Sequence, residues 1–162
     1  MQNYPSVTEY MATKLVTFGP DDDIQAAIRT MLKKKISGAP VLNDKDELIG
    51  MLSEVDCLKL LVNGSYDETP TGNGTVADFM TRGLRTIDSD RSIMDAAVEF
   101  VHSGLKRLPV LERGKLIGQI SRVDVLRAIE KMGPDIWHTP ASWKGRAPVT
   151  PNHKTSRHHG NA

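Results

Sequence analysis

Apolar residues recur along this chain with two alternating periods, and the order of those periods is repeated once. Ile24, Ala27, Ile28, Met31 and Leu32 stand at i, i+3, i+4, i+7 and i+8, the stripe of an amphipathic helix. The helix opens at Pro20-Asp21-Asp22-Asp23 and closes on Lys33-Lys34-Lys35, so acids lie at the positive end of its dipole and cations at the negative end. An apolar-polar strand ending at Val16-Thr17 precedes it. Ile36-Ser37-Gly38-Ala39-Pro40-Val41-Leu42 follows as a short strand with an internal proline, then the polar turn Asn43-Asp44-Lys45-Asp46 and a second strand over 48–52. Ser53 opens a second helix, to which Val55, Leu58, Leu61 and Val62 give an apolar side.

The stretch 63–75 (Asn-Gly-Ser-Tyr-Asp-Glu-Thr-Pro-Thr-Gly-Asn-Gly-Thr) is rich in breakers, lacks periodicity and is read as a linker. Beyond it the pattern returns. Met80-Thr81 matches Met11-Ala12, Thr86 matches Thr17, and Ile93, Ala96, Ala97, Phe100 and Val101 restate the first helical stripe. Leu105-Lys106-Arg107-Leu108-Pro109-Val110-Leu111 restates 36–42, proline included, before a turn one residue shorter at Glu112-Arg113-Gly114-Lys115. The boundaries are therefore a first repeat over 7–62, the linker, a second repeat over 76–132 and a tail over 133–162. Each copy runs strand, helix, strand, strand, helix, and neither buries its apolar surface without the other.

Polar residues return with the apolar frame. Gly50-Met51-Leu52-Ser53-Glu54-Val55-Asp56 and Gly118-Gln119-Ile120-Ser121-Arg122-Val123-Asp124 place a serine at each strand-to-helix junction and an aspartate three residues on. Ser-x-x-Asp is also how a helix start caps itself. A functional reading stands beside that one: free amides and a hydroxyl at a helix start suit a phosphate, and a carboxylate suits the vicinal diol of a ribose. The small residues Ser37-Gly38-Ala39 leave a backbone edge on which a flat base could lie.

Composition changes this picture little. The chain has 162 residues, 39% of them apolar and 25% charged, and a formal net charge of +1, which gives no global attraction to nucleic acid or to a membrane surface. Cys57 is the only cysteine, so an internal disulfide is excluded. The first ten residues lack the pattern of a signal peptide and no apolar run reaches membrane-spanning length, so the expectation is a cytoplasmic protein. There is no nucleotide phosphate loop, no Gly-x-Gly-x-x-Gly, no His-Glu-x-x-His and no serine elbow, and His102 has no evident catalytic partners. No enzyme, required cofactor or metal site is expected.

On the paired Gly-x-x-Ser-x-x-Asp segments, the proline-bearing strand before each turn, and Thr17 and Thr86 at the strand ends, the chain resembles a tandem pair of CBS domains, a Bateman module, over about residues 7–132. The resemblance implies an α+β fold of two β-α-β-β-α repeats packed about a pseudo-twofold axis. It also implies two clefts that take adenosyl ligands such as AMP, ADP, ATP or S-adenosylmethionine, and association into a disc-like homodimer. One cleft would combine Thr17, Ser37, Gly38 and Ala39 with Ser121, Arg122 and Asp124. The other would combine Ser53 and Asp56 with Thr86, Lys106, Arg107 and Leu108. The Asp124 cleft, with Arg122 beside it, is expected to be the more reliable adenosine site. In the Asp56 cleft Glu54 opposes a phosphate while Lys106 and Arg107 favour one, or an Arg107–Asp56 pair closes it. The implied function is a stand-alone regulatory module; the alternative is a scaffold with vestigial clefts that contacts an unknown protein partner. Nucleic acid is disfavoured.

The tail holds Trp137 and Trp143, four of the five histidines and several prolines, and is expected to be extended or disordered. It docks on its own domain or dimer mate, serves as a peptide for another protein, or is idle.

Overall fold

The computed structural model describes residues 3–64 and 74–133. The tail, its two tryptophans and the middle of the linker lie outside the described residues. A short 3-10 turn at Val7–Glu9 leads into α1 (Ile24–Lys34), β1 (Gly38–Leu42), β2 (Leu48–Ser53) and α2 (Glu54–Gly64). Then come α3 (Val76–Phe79), β3 (Ile87–Asp88), α4 (Ile93–Ser103), β4 (Arg107–Glu112), β5 (Lys115–Ser121) and α5 (Arg122–Met132). The two halves share a hairpin register: Gly38 faces Ser53 across β1 and β2, and Arg107 faces Ser121 across β4 and β5, with a bulge near the far end of each. β3 adds to β4 in parallel. The first strand expected in the first repeat is reduced to a single parallel bridge, Phe18 to Val41, because Gly19 and Pro20 follow at once and proline has no amide to extend the ladder.

Each long helix starts on an acceptor side chain. Asp23 caps α1 by accepting from the Ala26 amide at 2.9 Å, and Ser92 with Asp95 forms a reciprocal capping box on α4. Both helices end in a left-handed residue, Lys35 after α1 and Gly104 after α4, and only the glycine adopts that conformation without steric cost.

The packing exchanges parts between the repeats. Val7, early in the first repeat, is fully buried in the core of the second with Ile87, Ile93, Phe100, Leu108, Val110 and Ile120. Val76 and Met80, early in the second, are buried in the core of the first with Phe18, Ile24, Met31, Val41 and Leu52. Backbone bonds fix both crossings in matching pairs: Val7 N to Arg91 O and Ile93 N to Pro5 O, against Val76 N to Asp22 O and Ile24 N to Gly74 O, at 2.8–3.0 Å. Next in each crossing, Ala12 exchanges both backbone bonds with Gln119, and Thr81 does so with Met51. These matched bonds are the pseudo-twofold axis expressed in residues.

The glycines of the repeated heptapeptide make the crossings possible. A Cβ on Gly118 would stand 2.6 Å from Met11 Sδ and 2.8 Å from the Ala12 carbonyl; one on Gly50 would stand 2.6 Å from Met80 Sδ and 3.1 Å from the Thr81 carbonyl. A backbone passing this close leaves no room for a side chain.

The apolar stripes are only partly consumed by the core. Ile24, Ala27 and Met31 of α1, and Ile93, Ala96 and Phe100 of α4, are buried, whereas Leu32 and Val101, at the last stripe position of each, are exposed. On α2 the expectation fails more completely. Val55, Leu58, Leu61 and Val62 all face outward, and the side turned to the core carries Cys57 and Leu60. The helix is apolar on two faces, and periodicity marks the wider one without saying what covers it.

Candidate ligand-binding site

Both serine–aspartate junctions fold as capping boxes. Asp56 Oδ2 accepts from the Ser53 amide and from Ser53 Oγ, each at 2.9 Å, while Ser53 Oγ accepts from the Asp56 amide at 3.2 Å. Ser121 and Asp124 repeat this at 2.8, 2.8 and 3.2 Å, and Ser92 with Asp95, at the start of α4, has the same geometry. The capping reading is therefore correct for one oxygen of each carboxylate. What sets Asp56 and Asp124 apart is the other oxygen and their burial, 3% and 9% exposed.

Asp56 Oδ1 accepts from Lys59 Nζ at 3.1 Å and from Thr81 Oγ1 at 3.0 Å. Asp124 Oδ1 accepts from Arg127 NH1 at 2.9 Å. Burial pushes the Asp56 carboxyl up, but the Ser53 amide, Lys59, Ser53 Oγ and Thr81 together outweigh it and hold the group below its ordinary value. Burial, then the neighbouring charges of Asp56 and Glu54, push the Cys57 thiol up, so this cysteine is a half-buried packing residue and a poor nucleophile.

A cavity of about 340 Å³ opens on the Asp56 side, between the repeats. Its walls join Ser53, Glu54, Val55 and Asp56 from the first junction to Lys106, Arg107 and Pro109 from β4 and its approach, with Met51, Thr81, Leu84, Arg85 and Leu105 around them. Ser37 and Gly38 also line it, although the resemblance assigns them to the Asp124 cleft. Arg107 explains the mixture. Its guanidinium reaches across to the first repeat, donating to Ser37 Oγ and, at 3.2 Å, to the Gly38 carbonyl. It does not close on Asp56, whose ionic partner is Lys59.

The other expected site residues scatter. Leu108 and Ala39 are buried in the second and first cores. Thr17 is exposed, and Thr86, also exposed, lines a separate cavity beside Leu111 and Gly114. Arg122 turns from Asp124 to the end of α4, its Nε and NH2 donating to the Leu105 and Gly104 carbonyls at 2.6 and 2.7 Å. The cation expected to serve the Asp124 cleft is thus engaged in capping a helix C-terminus.

Sequence reasoning missed Thr81 and Arg85. The alignment of Met80-Thr81 with Met11-Ala12 contained the signal for Thr81. That this segment crosses to the opposite carboxylate follows only from the exchange of the leading turns. Among the described residues no group of three His, Cys, Asp or Glu side chains could hold a metal, and no helix is long and apolar enough to cross a membrane.

Two pseudosymmetric repeats with exchanged leading turns and a cleft between them define a tandem-repeat architecture. The CBS domain family matches residues 7–63 and 76–131, and the chain belongs to that family. It is 32% identical over 123 residues to the uncharacterized protein MJ1225 of Methanocaldococcus jannaschii, covering 76% of this chain but only 42% of that one. It is also 32% identical over 152 residues to MJ1426 of the same organism, covering 76% of this chain and 90% of that one. Among solved structures, CBSX2 of Arabidopsis thaliana in complex with AMP matches with a TM-score of 0.69 and 29% identity, covering 80% of this chain and 99% of that one.

Proposed function

We propose that this chain is a regulatory module that takes an adenosyl ligand in the Asp56 cavity and signals by a change in the packing of its two repeats. The observation that carries the reading is the cavity itself, in which a buried carboxylate at a helix start faces Lys106 and Arg107 from the other repeat. AMP bound to the similar CBSX2 supports the ligand class. Arg85 is paired with Glu99 and Asp56 with Lys59, which leaves Lys106 and Arg107 lining the cavity against Glu54, so the field favours a phosphorylated nucleotide, AMP, ADP or ATP, over the sulfonium cation of S-adenosylmethionine. Because both repeats supply walls, a ligand that fits one arrangement of the repeats better than another shifts their equilibrium, which is what a regulatory signal requires.

The module acts as a homodimer in this reading. Val55, Leu58 and Val62 on α2, Met94, Val98 and Val101 on α4, and Val123 and Leu126 on α5 are all exposed, an apolar residue set on three helices of both repeats. A second copy offering the same helices would cover them by an isologous contact.

The test is calorimetric titration of the full chain with AMP, ADP, ATP and S-adenosylmethionine, repeated on Asp56→Ala, Asp124→Ala and Lys106→Ala. Saturable binding is expected, weakened about 5- to 150-fold by loss of the carboxylate that holds the sugar. Lys106→Ala should weaken the phosphorylated ligands more than the sulfonium. Silence from all four ligands overturns the proposal, and a loss confined to Asp124→Ala moves the site to the other cleft.

A further inference from the structure

The two junction carboxylates differ in one acceptor position, and the residue responsible comes from the opposite repeat. A carboxylate offers about four lone-pair positions. At Asp56 four donors fill them: the Ser53 amide, Ser53 Oγ, Lys59 Nζ and Thr81 Oγ1. At Asp124 there are three among the described residues, because Ala12 stands where the other crossing carries Thr81, and a methyl group donates nothing. Thr81 lines the cavity and Lys59 does not. Thr81 is also pinned, both of its backbone polar groups being paired with Met51, so only its side chain can leave the carboxylate.

We propose that the Thr81 hydroxyl occupies the position on Asp56 that a ligand hydroxyl takes on binding, making Thr81 the residue that sets the affinity of this cleft for a diol-bearing ligand. The proposal rests on the adenosyl reading above. A sugar diol approaching through the cavity meets a saturated carboxylate, and Thr81 must rotate away before one of the sugar hydroxyls can donate to it. At Asp124 no described residue fills the corresponding position. The four donors also satisfy a carboxylate that is only 3% exposed.

The experiment compares wild type, Thr81→Ala and Thr81→Ser. AMP affinity is read by calorimetry, and the Asp56 carboxyl is followed by carbon-detected NMR titration of the ligand-free proteins. Thr81→Ala should bind AMP about 2- to 10-fold more tightly, as expected for deleting one competing hydrogen bond, and Thr81→Ser should match wild type. In the ligand-free Thr81→Ala protein the Asp56 carboxyl should titrate at higher pH than in wild type. An unmoved carboxyl overturns the proposal at its premise, whatever binds. A moved carboxyl with equal or weaker AMP binding overturns the competition. A moved carboxyl with no AMP binding in any of the three overturns the adenosyl reading, and the proposal with it, while leaving the Thr81–Asp56 bond established.

Discussion

Val7 tests the exchange of leading turns most directly, because its sequence neighbours belong to one repeat and its contacts to the other. The side chain is fully buried among Ile87, Ile93, Phe100 and Leu108. Val7→Ala removes two methyl groups. Their transfer to water costs about 1.6 kcal/mol at about 0.8 kcal/mol each, and the void they leave raises the total to about 2–3 kcal/mol. For a domain of this size that corresponds to a fall in Tm of about 6–12 °C. Urea denaturation followed by circular dichroism gives the free energy, and hydrogen exchange gives its location. The lost protection should appear in α4, β4 and β5. The reasoning is refuted if Val7→Ala changes stability by less than about 0.5 kcal/mol, the ordinary range for a surface substitution, or if protection is lost only around α1, β1 and β2.

Gly118→Ala should destabilise by about 1–3 kcal/mol and Gly50→Ala by less, since the first methyl meets the Ala12 carbonyl at 2.8 Å and the second meets the Thr81 carbonyl at 3.1 Å; paired denaturation curves check the order. Because the folded Asp56 carboxyl lies below its ordinary value of 3.8, its contribution is fully present above that pH and is lost as pH falls through the folded value. Asp56→Asn should therefore lower stability at neutral pH and flatten its dependence on pH below about 4, read as urea midpoints across an acid series. Leu58→Glu and Val98→Glu, each placing a charge on the exposed helix faces, should turn a dimer into a folded monomer in sedimentation analysis; an unchanged mass would remove those faces from the interface.

Much of the fold was legible because each repeat supports the reading of the other. Ile24 to Met31 and Ile93 to Phe100 show the same helical period, and Pro40 and Pro109 fall at the same place in the same short strand, so two weak signals become one strong one. The helix starts at Ser53 and Ser121 were equally plain, since capping is local chemistry decided within four residues. The outward turn of Val55, Leu58 and Val62 was not, because a periodic apolar stripe is the same whether a core or a second chain covers it.

The sequence by itself determined the duplication, the order of the four long helices and the two hairpins, the two serine–aspartate junctions and their pairing of a hydroxyl with a carboxylate, all consequences of spacing within a few residues. Tertiary structure alone decided which half each leading turn completes, and hence that Thr81 rather than Ala12 meets Asp56. It also sent Arg107 to Ser37 and Gly38 instead of to Asp56, and Arg122 to the end of α4 instead of into the Asp124 cleft. The physical reason is reach. An arginine takes whichever carbonyl or hydroxyl its guanidinium can meet, and those acceptors lie on other strands and helices whose approach is set by the packing of the cores.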